Sequence, residues 1–325
     1  MRFVLRRFGF YLIAFWASLT LNFLLPRLMP GDPVGRMFAQ LAGQLRPDQL
    51  QALRRLFGLD NQPVLLQYVR YIGDVFTGQL GISISRFPTP VSDVIGSEIG
   101  WTILLGATAL VIAAILGTVL GVVAAWRRGG LVDSVLPPTL LFIGSFPYFW
   151  LAMGALYLFG SILNWFPTSH SFSAGSVPSL SGSFVWDVLA HLVLPALTIV
   201  IVSVGGWMLG MRNTMIATTA EDYITMAEAK GLRSGRIMYR YAARNALLPT
   251  ITSFGMSFGF IVGGALLTEV VFAYPGVGFQ LFSAVQSLDY PLMQGIFLTI
   301  TAAVLIANFL VDVVYVFLDP RVRVN

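Results

Sequence analysis

Several groups of residues in this chain have types and spacings that could do chemistry. Residues 255–259 read GMSFG, the Gly-x-Ser-x-Gly spacing that presents a serine nucleophile on a sharp strand-to-helix turn. Here the pentapeptide sits inside a long apolar run, so Ser257 has no such turn to stand on. The only histidines, His170 and His191, are 21 positions apart in a chain without cysteine. That pattern spells neither a metal centre nor a disulfide, and it leaves no thiolate nucleophile. Lys230 is the sole lysine, and no Gly-x-x-x-x-Gly-Lys-Ser/Thr run occurs, so the chain cannot cradle ATP through a P-loop. Glu269 and Asp312 fall in or beside apolar runs, where a carboxylate is costly and must pair, cap a helix or relay protons. Glu269 precedes the Pro275, Gly276 and Gly278 of YPGVG, a setting that fits a gate, a loop anchor or a substrate contact. For Asp312 a structural pair is the stronger expectation.

The densest polar stretch is EDYITMAEAKGL, residues 221–232, which gathers two glutamates, an aspartate and the only lysine. Ala and Glu favour helix, and Glu221 and Asp222 suit its positive N-terminal end. Gly231 should end it, before a second helix carrying Arg233, Arg236, Arg240 and Arg244. At helical spacing Ile224, Ala227 and Gly231 share one face. A short helix with a small-residue face and charges around its rim can lie in a groove of a partner protein. A merely solvated loop remains open on this pattern alone.

The elements that must position these residues are greasy. Of 325 residues 56% are hydrophobic and 11% charged, less than half the usual charged share of about 25%, so the natural solvent is a bilayer. Neither basic runs nor interleaved aromatics point to nucleic acid. A hydrocarbon core about 30 Å thick takes roughly 20 helical residues. Six stretches qualify: Phe8–Leu28, Trp101–Trp126, Leu136–Gly160, His191–Met211, Leu247–Phe272 and Leu292–Leu318. The first follows MRFVLRR but no small-x-small site ends it, so it reads as an anchor and not a cleaved signal. With the N-terminus inside, thirteen of the twenty basic residues are cytoplasmic, and the loops 161–190 and 273–291 hold none. Both termini are then cytoplasmic. The chain divides into a cytoplasmic tip and first span (1–28), an extracytoplasmic helical segment (29–100), a transmembrane core (101–318) with cytoplasmic loop 212–246, and a tail (319–325). Residues 47–58 and 64–76 pattern as amphipathic helices lying on the membrane face or capping the bundle, the second with Leu65, Tyr68, Ile72 and Phe76 on one stripe. The Ser- and Gly-rich loop 161–190 should be irregular. Gly255, Gly259 and Gly263, and more weakly Gly117 and Gly121, let helices approach closely, within this chain or between subunits. Pro147 and Pro195 should kink their spans.

EDYITMAEAKGL together with RNALLP (244–249) resembles the cytoplasmic EAA-type loop of permeases of the dipeptide/oligopeptide ABC importer family. PGDP (30–33), FGLDNQP (57–63), GQLGIS (78–83), TEVVFAYPGVG (268–278) and DPRVR (319–323) follow the same family in order and placement. The early PGDP and long outer segment look like its B-type subunit. The resemblance implies an all-α type I importer permease with six transmembrane helices. It implies that the short helix couples to ATPase subunits through Glu221, Asp222, Tyr223, Ala227, Glu228, Ala229, Lys230, Gly231, Arg244, Asn245 and Pro249. Glu228 departs from the basic residue expected there, and Leu248-Pro249 lie farther from Gly231 than in the broader signature. The implied partners are a homologous C-type permease, two ABC ATPase subunits and an extracytoplasmic binding protein, in a prokaryotic plasma membrane. This chain would bind no cofactor and catalyse nothing, with ATP and magnesium held by the ATPases. An ion-coupled carrier using Glu269 or Asp312 is the alternative, and an intramembrane hydrolase using Ser257 a weaker one.

Overall fold

The computed structural model describes residues 2–28, 62–258, 261 and 265–318. The expected helix at 47–58, the PGDP and DPRVR motifs and most of FGLDNQP lie outside them, as do Gly259 and Gly263. Among the described residues the regular elements are helical, and the only sheet-like feature is an isolated bridge between Ile82 and Pro90. Four helices are long and apolar enough to cross a membrane, or five if one bent pair counts as a span. The chain forms two compact units, residues 1–102 with 275–325 and residues 103–274.

In the first unit α1 (Arg2–Leu28) packs on α11 (Tyr290–Leu318). Rings of Phe8 and Tyr11 meet Phe309 edge-on. Asp312 accepts a hydrogen bond from the Tyr11 hydroxyl at 2.8 Å and lies 3.2 Å from the Arg7 guanidinium. Helix α2 (Val64–Phe76) leans on α1 through Tyr68 and Tyr71, which flank Phe23. Its Leu65, Val69 and Phe76 stay exposed, so Leu65 and Phe76 of the expected stripe do not share the seat of Tyr68. Burial pushes the Tyr71 phenol up to about 12, keeping it neutral where Asn22 donates to it. The segment between α2 and α3 (Val91–Trp126) is fastened by buried Asp289, which accepts from Ser83 Oγ, Ser85 N and Ser85 Oγ. Arg86 donates to Gln280 of α10 (Val277–Ser287), and Gln280 donates to Glu98 of α3.

In the second unit glycines bring helix backbones together. A Cβ on Gly117 of α3 would lie 2.8 Å from the Val204 carbonyl oxygen of α6 (Gly182–Thr219), and one on Gly121 2.5 Å from that of Met208. Gly144 and Gly205 do the same for α4 (Leu131–Gly144) and α6, each facing a carbonyl at 2.9 Å. The Gly117/Gly121 pair therefore packs within this chain. The expected third span is broken: α4 ends at Gly144, and α5 (Tyr148–Ala155), continued by a π-helical stretch Leu156–Ile162, leaves at 91°. Pro147 stands at that corner, as its missing N–H and fixed φ require. Pro195 instead sits inside an unbroken α6. The loop expected over 161–190 is irregular only as far as Ser181, since α6 already starts at Gly182, and it is held there: Asp187 of α6 accepts from the backbone and hydroxyl of Ser173 at 2.8 and 2.7 Å. His191 bonds the Asp187 carbonyl, which accounts for its burial without a metal.

Candidate functional site

The polar stretch of residues 221–232 folds as expected into one short helix, α7 (Asp222–Ala229), whose N-terminal flank is Glu221. Its C-terminus is closed by two bonds, Leu232 N to the Ala227 carbonyl and Gly231 N to the Glu228 carbonyl. Together with Gly231 at φ +68° these make the glycine-terminated cap that satisfies orphan carbonyls at a helix end. Leu232 then folds back toward Ala227. The second helix begins at once with a turn at Ser234–Arg236, passes through a π-helical stretch Ile237–Ala243 and continues as α8 (Arg244–Phe258).

The inward face of α7 is the one that was expected to dock. Ile224 and Ala227 are 2% and 3% exposed, and they pack on Val122, Met215, Ile237, Met238 and Ala242 of their own chain. Ala227 is therefore a seat contact: its small size lets α7 lie flat on the π-helical stretch. Glu221, Asp222, Tyr223, Met226, Glu228, Ala229, Lys230 and Gly231 form the open side. Arg244 and Asn245 are also exposed, on the first turn of α8. Asn245 Nδ2 donates to the Tyr223 hydroxyl at 2.9 Å, joining the two halves of the motif, 22 residues apart. Sequence reasoning placed both residues in the motif but could not see the bond. It missed two further fastenings: Trp126 Nε1 donates to Ser234 Oγ at 3.2 Å, and Arg212 grips Asp133 through Nε and Nη2. Their only signal was a polar residue at the end of each apolar run.

The remaining candidates are scattered. Pro249 lies within α8, one turn beyond Asn245, and Gly255 is half-buried further along it. Ser257 is helical, donating to the Ser253 carbonyl, so no nucleophile elbow exists there. Glu269 is fully buried in α9 (Leu266–Val271), with its carbonyl accepting from Tyr274 N. Desolvation and the nearby Glu269 carboxylate both raise the Tyr274 phenol. Gly276 flanks the start of α10, Pro275 precedes it, and Gly278 is buried in the first turn of the helix. Asp312 is paired with Arg7 and Tyr11 as above. No group of three His, Cys, Asp or Glu side chains that could hold a metal occurs among the described residues.

A helical chain with several membrane-length apolar rods, and with its densest polar motif built as a platform instead of a pocket, defines a polytopic membrane component. It belongs to the family described as the binding-protein-dependent transport system inner membrane component, whose model matches residues 117–324, while the corresponding N-terminal model matches residues 1–96. Its similarity extends over whole chains. A protein of Brucella suis biovar 1 (strain 1330), with a name of the peptide permease type, is 37% identical over 325 residues, all of both chains. The di/tripeptide transport system permease protein DppB of Pseudomonas aeruginosa (strain UCBPP-PA14) is 34% identical over 99% of this chain and 98% of its own length. The dipeptide transport system permease protein DppB of Escherichia coli (strain K12) is 33% identical over 99% of each. The chain is thus a permease of the dipeptide/oligopeptide ABC type.

Proposed function

We propose that this chain is the B-type half of a peptide importer's membrane pathway, driven through α7 by separate ATPase subunits. The observation that carries the coupling role is the seating of α7. One face is packed into its own chain, the end is capped, and Tyr223, Met226, Glu228 and Lys230 around the rest of the helix are exposed. A rod fixed on one side and bare on the other transmits a push without losing it to local bending. ATP-driven approach of two ATPase subunits, which hold the nucleotide and its magnesium, would displace α7. The helices attached to it would then tilt, exchanging outward for inward access. A homologous C-type permease completes the pathway, and an extracytoplasmic binding protein supplies the peptide. The relatives' names support peptides as the class of substrate. The arrangement adopts six spans with both termini cytoplasmic and residues 29–100 outside. This chain makes and breaks no bond of its own.

The carrier alternative draws nothing from Asp312, whose carboxylate is engaged by Arg7 and Tyr11. The test is cross-linking in native membranes from single cysteines at Met226 and Glu228. Capture of an ATP-hydrolysing subunit is the expected result. Absence of that product at both positions, with alanyl-alanine uptake surviving ATP depletion, would reject the coupling role.

A further inference from the structure

Between α6 and α8 lies a cavity of about 310 Å³ that the coupling motif borders only at Pro249. From α6 it is lined by Ser203, Gly206, Trp207, Gly210, Met211 and Thr214. From α8 it is lined by Pro249, Thr250, Ser253 and Ser257. The α6 wall covers eleven residue steps, about 16 Å along the helix, within one of the membrane-length rods. A wall of hydroxyls and glycines offers lipid tails little apolar side-chain surface, and polar side chains within a span mostly face a bundle interior or a water-filled path. The lipid-compatible surface of α6 is elsewhere, at the exposed Leu197 and Ile201.

The hydroxyls are arranged to be used. Thr214 and Ser257 donate their protons back to helix carbonyls, to Gly210 at 3.0 Å and Ser253 at 2.9 Å. Each of these oxygens, its proton engaged, keeps capacity to accept. Among the described residues the Ser203 and Ser253 hydroxyls have no hydrogen-bond partner. Gly206 and Gly210 have nothing within 4 Å of where a Cβ would stand, so the wall is open there. None of the lining residues carries a charge. The back of the cavity is stiff: Thr250 donates to Met211 Sδ, and the rings of Trp207 and Phe254 lie 6.2 Å apart.

We infer that this α6–α8 cavity is where the chain touches its substrate in transit, and that the substrate is recognised as a peptide-like donor of N–H groups. The inference rests on the transport reading above. Acceptor hydroxyls suit amide N–H and ammonium groups, and the volume is at the small end of ligand sites. The absence of charge makes the contact indifferent to the side chains of the passing molecule, and so a low-selectivity stretch of the path. The α8 wall is the same helix whose first turn carries Asn245, beside α7. Movement of the platform therefore reaches Ser253 and Ser257 along one rod.

The natural lack of cysteine makes the test direct. Single variants Ser203→Cys, Ser253→Cys and Ser257→Cys, with Leu197→Cys and Ile201→Cys as controls, are assembled with cysteine-free partner subunits in proteoliposomes. They are then treated with the charged, water-borne thiol reagent MTSET. A thiol in apolar surroundings whose pKa rises by about one unit loses about tenfold of its reactive thiolate. The cavity positions should therefore react about tenfold faster than the controls, and slower when the binding protein presents alanyl-alanine with ATP. Two outcomes would overturn the inference in vesicles that retain ATP-dependent uptake. One is labelling no faster than Leu197→Cys. The other is a high-yield cross-link from Ser253→Cys to the second permease with or without peptide, which would assign the wall to helix packing. Uptake that ignores ATP would instead reject the transport mechanism, and the labelling pattern would still report on the cavity.

Discussion

Gly231 sits at φ +68° with nothing within 4 Å of a prospective Cβ, so its constraint is conformational and not steric. A β-branched residue in that left-handed region costs about 1–2 kcal/mol, whereas Asn tolerates it. Gly231→Val should therefore loosen the cap and lower ATP-driven uptake severalfold, while Gly231→Asn stays near wild type. Uptake into inverted vesicles, normalised to protein inserted, measures both, and equal loss in the two variants would contradict the cap. Ala227 behaves differently because it is buried against Ile237 and Ala242. An arginine there must bury an unpaired charge, at several kcal/mol. Ala227→Arg should lower the yield and melting temperature of the assembled transporter instead of producing an intact but uncoupled one. Much of this site was legible: Gly231 announced its turn, and the acids of Glu221 and Asp222 announced the helix start. Which face of α7 points inward was not, because helical spacing groups Ile224 with Ala227 but cannot say whether their neighbour is the same chain or another. The three-residue offset of Tyr223 and Met226 looked no different on the page.

At the scale of elements, α7 and α8 are joined by the bond from Asn245 to Tyr223. A single exposed neutral hydrogen bond is worth about 1 kcal/mol net. A double-mutant cycle with Tyr223→Phe and Asn245→Leu should then show non-additivity of about that size in uptake measured at fixed ATPase activity. Additive losses would mean that the pair is incidental. Helices α3 and α6 depend on a different device, backbone approach at Gly117 and Gly121. Gly121→Leu would thrust a side chain at the Met208 carbonyl, where even a Cβ stands at 2.5 Å, and should reduce thermal stability by at least about 2 kcal/mol. The other atoms it would meet, Met211 Cβ at 2.8 Å and Arg212 N at 3.0 Å, belong to or adjoin the α6 backbone and cannot swing away. The small-residue spacing was visible in the sequence. Its partner was not, since a glycine stripe records only that something comes close. In the third span the kink expected at Pro147 is present, but its size was not legible: hydropathy over 136–160 averages across Ser145-Phe146-Pro147 and gives no angle, whereas the two helices meet at 91°. The fifth, 247–272, gives α8 to Phe258 and α9 from Leu266, with most of the residues between them outside those described.

At the scale of the molecule, the bent pair decides the topology. Helix α4 has 14 residues, and α5 with its π-helical extension has 15, so each rod is about 21–22 Å long at 1.5 Å per residue. Neither alone crosses a hydrocarbon core of about 30 Å. Two such rods meeting at 91°, however, have ends about 30 Å apart, and a diagonal placed along the membrane normal just spans it. A re-entrant loop would instead return both ends to one surface, leaving the Arg127-Arg128 pair and the exposed Ser179 on the same side. The arginine count argues against that, because loop 161–190 has no basic residue while 127–128 has two. Single cysteines at Arg128 and Ser179 should therefore be labelled by an impermeant maleimide from opposite faces: Ser179→Cys in right-side-out vesicles, Arg128→Cys only in inverted ones. Labelling of both from one face would make α4 and α5 a hairpin. It would also remove one crossing and place α6, and with it the α7 platform, on the wrong side of the membrane for any ATPase to reach.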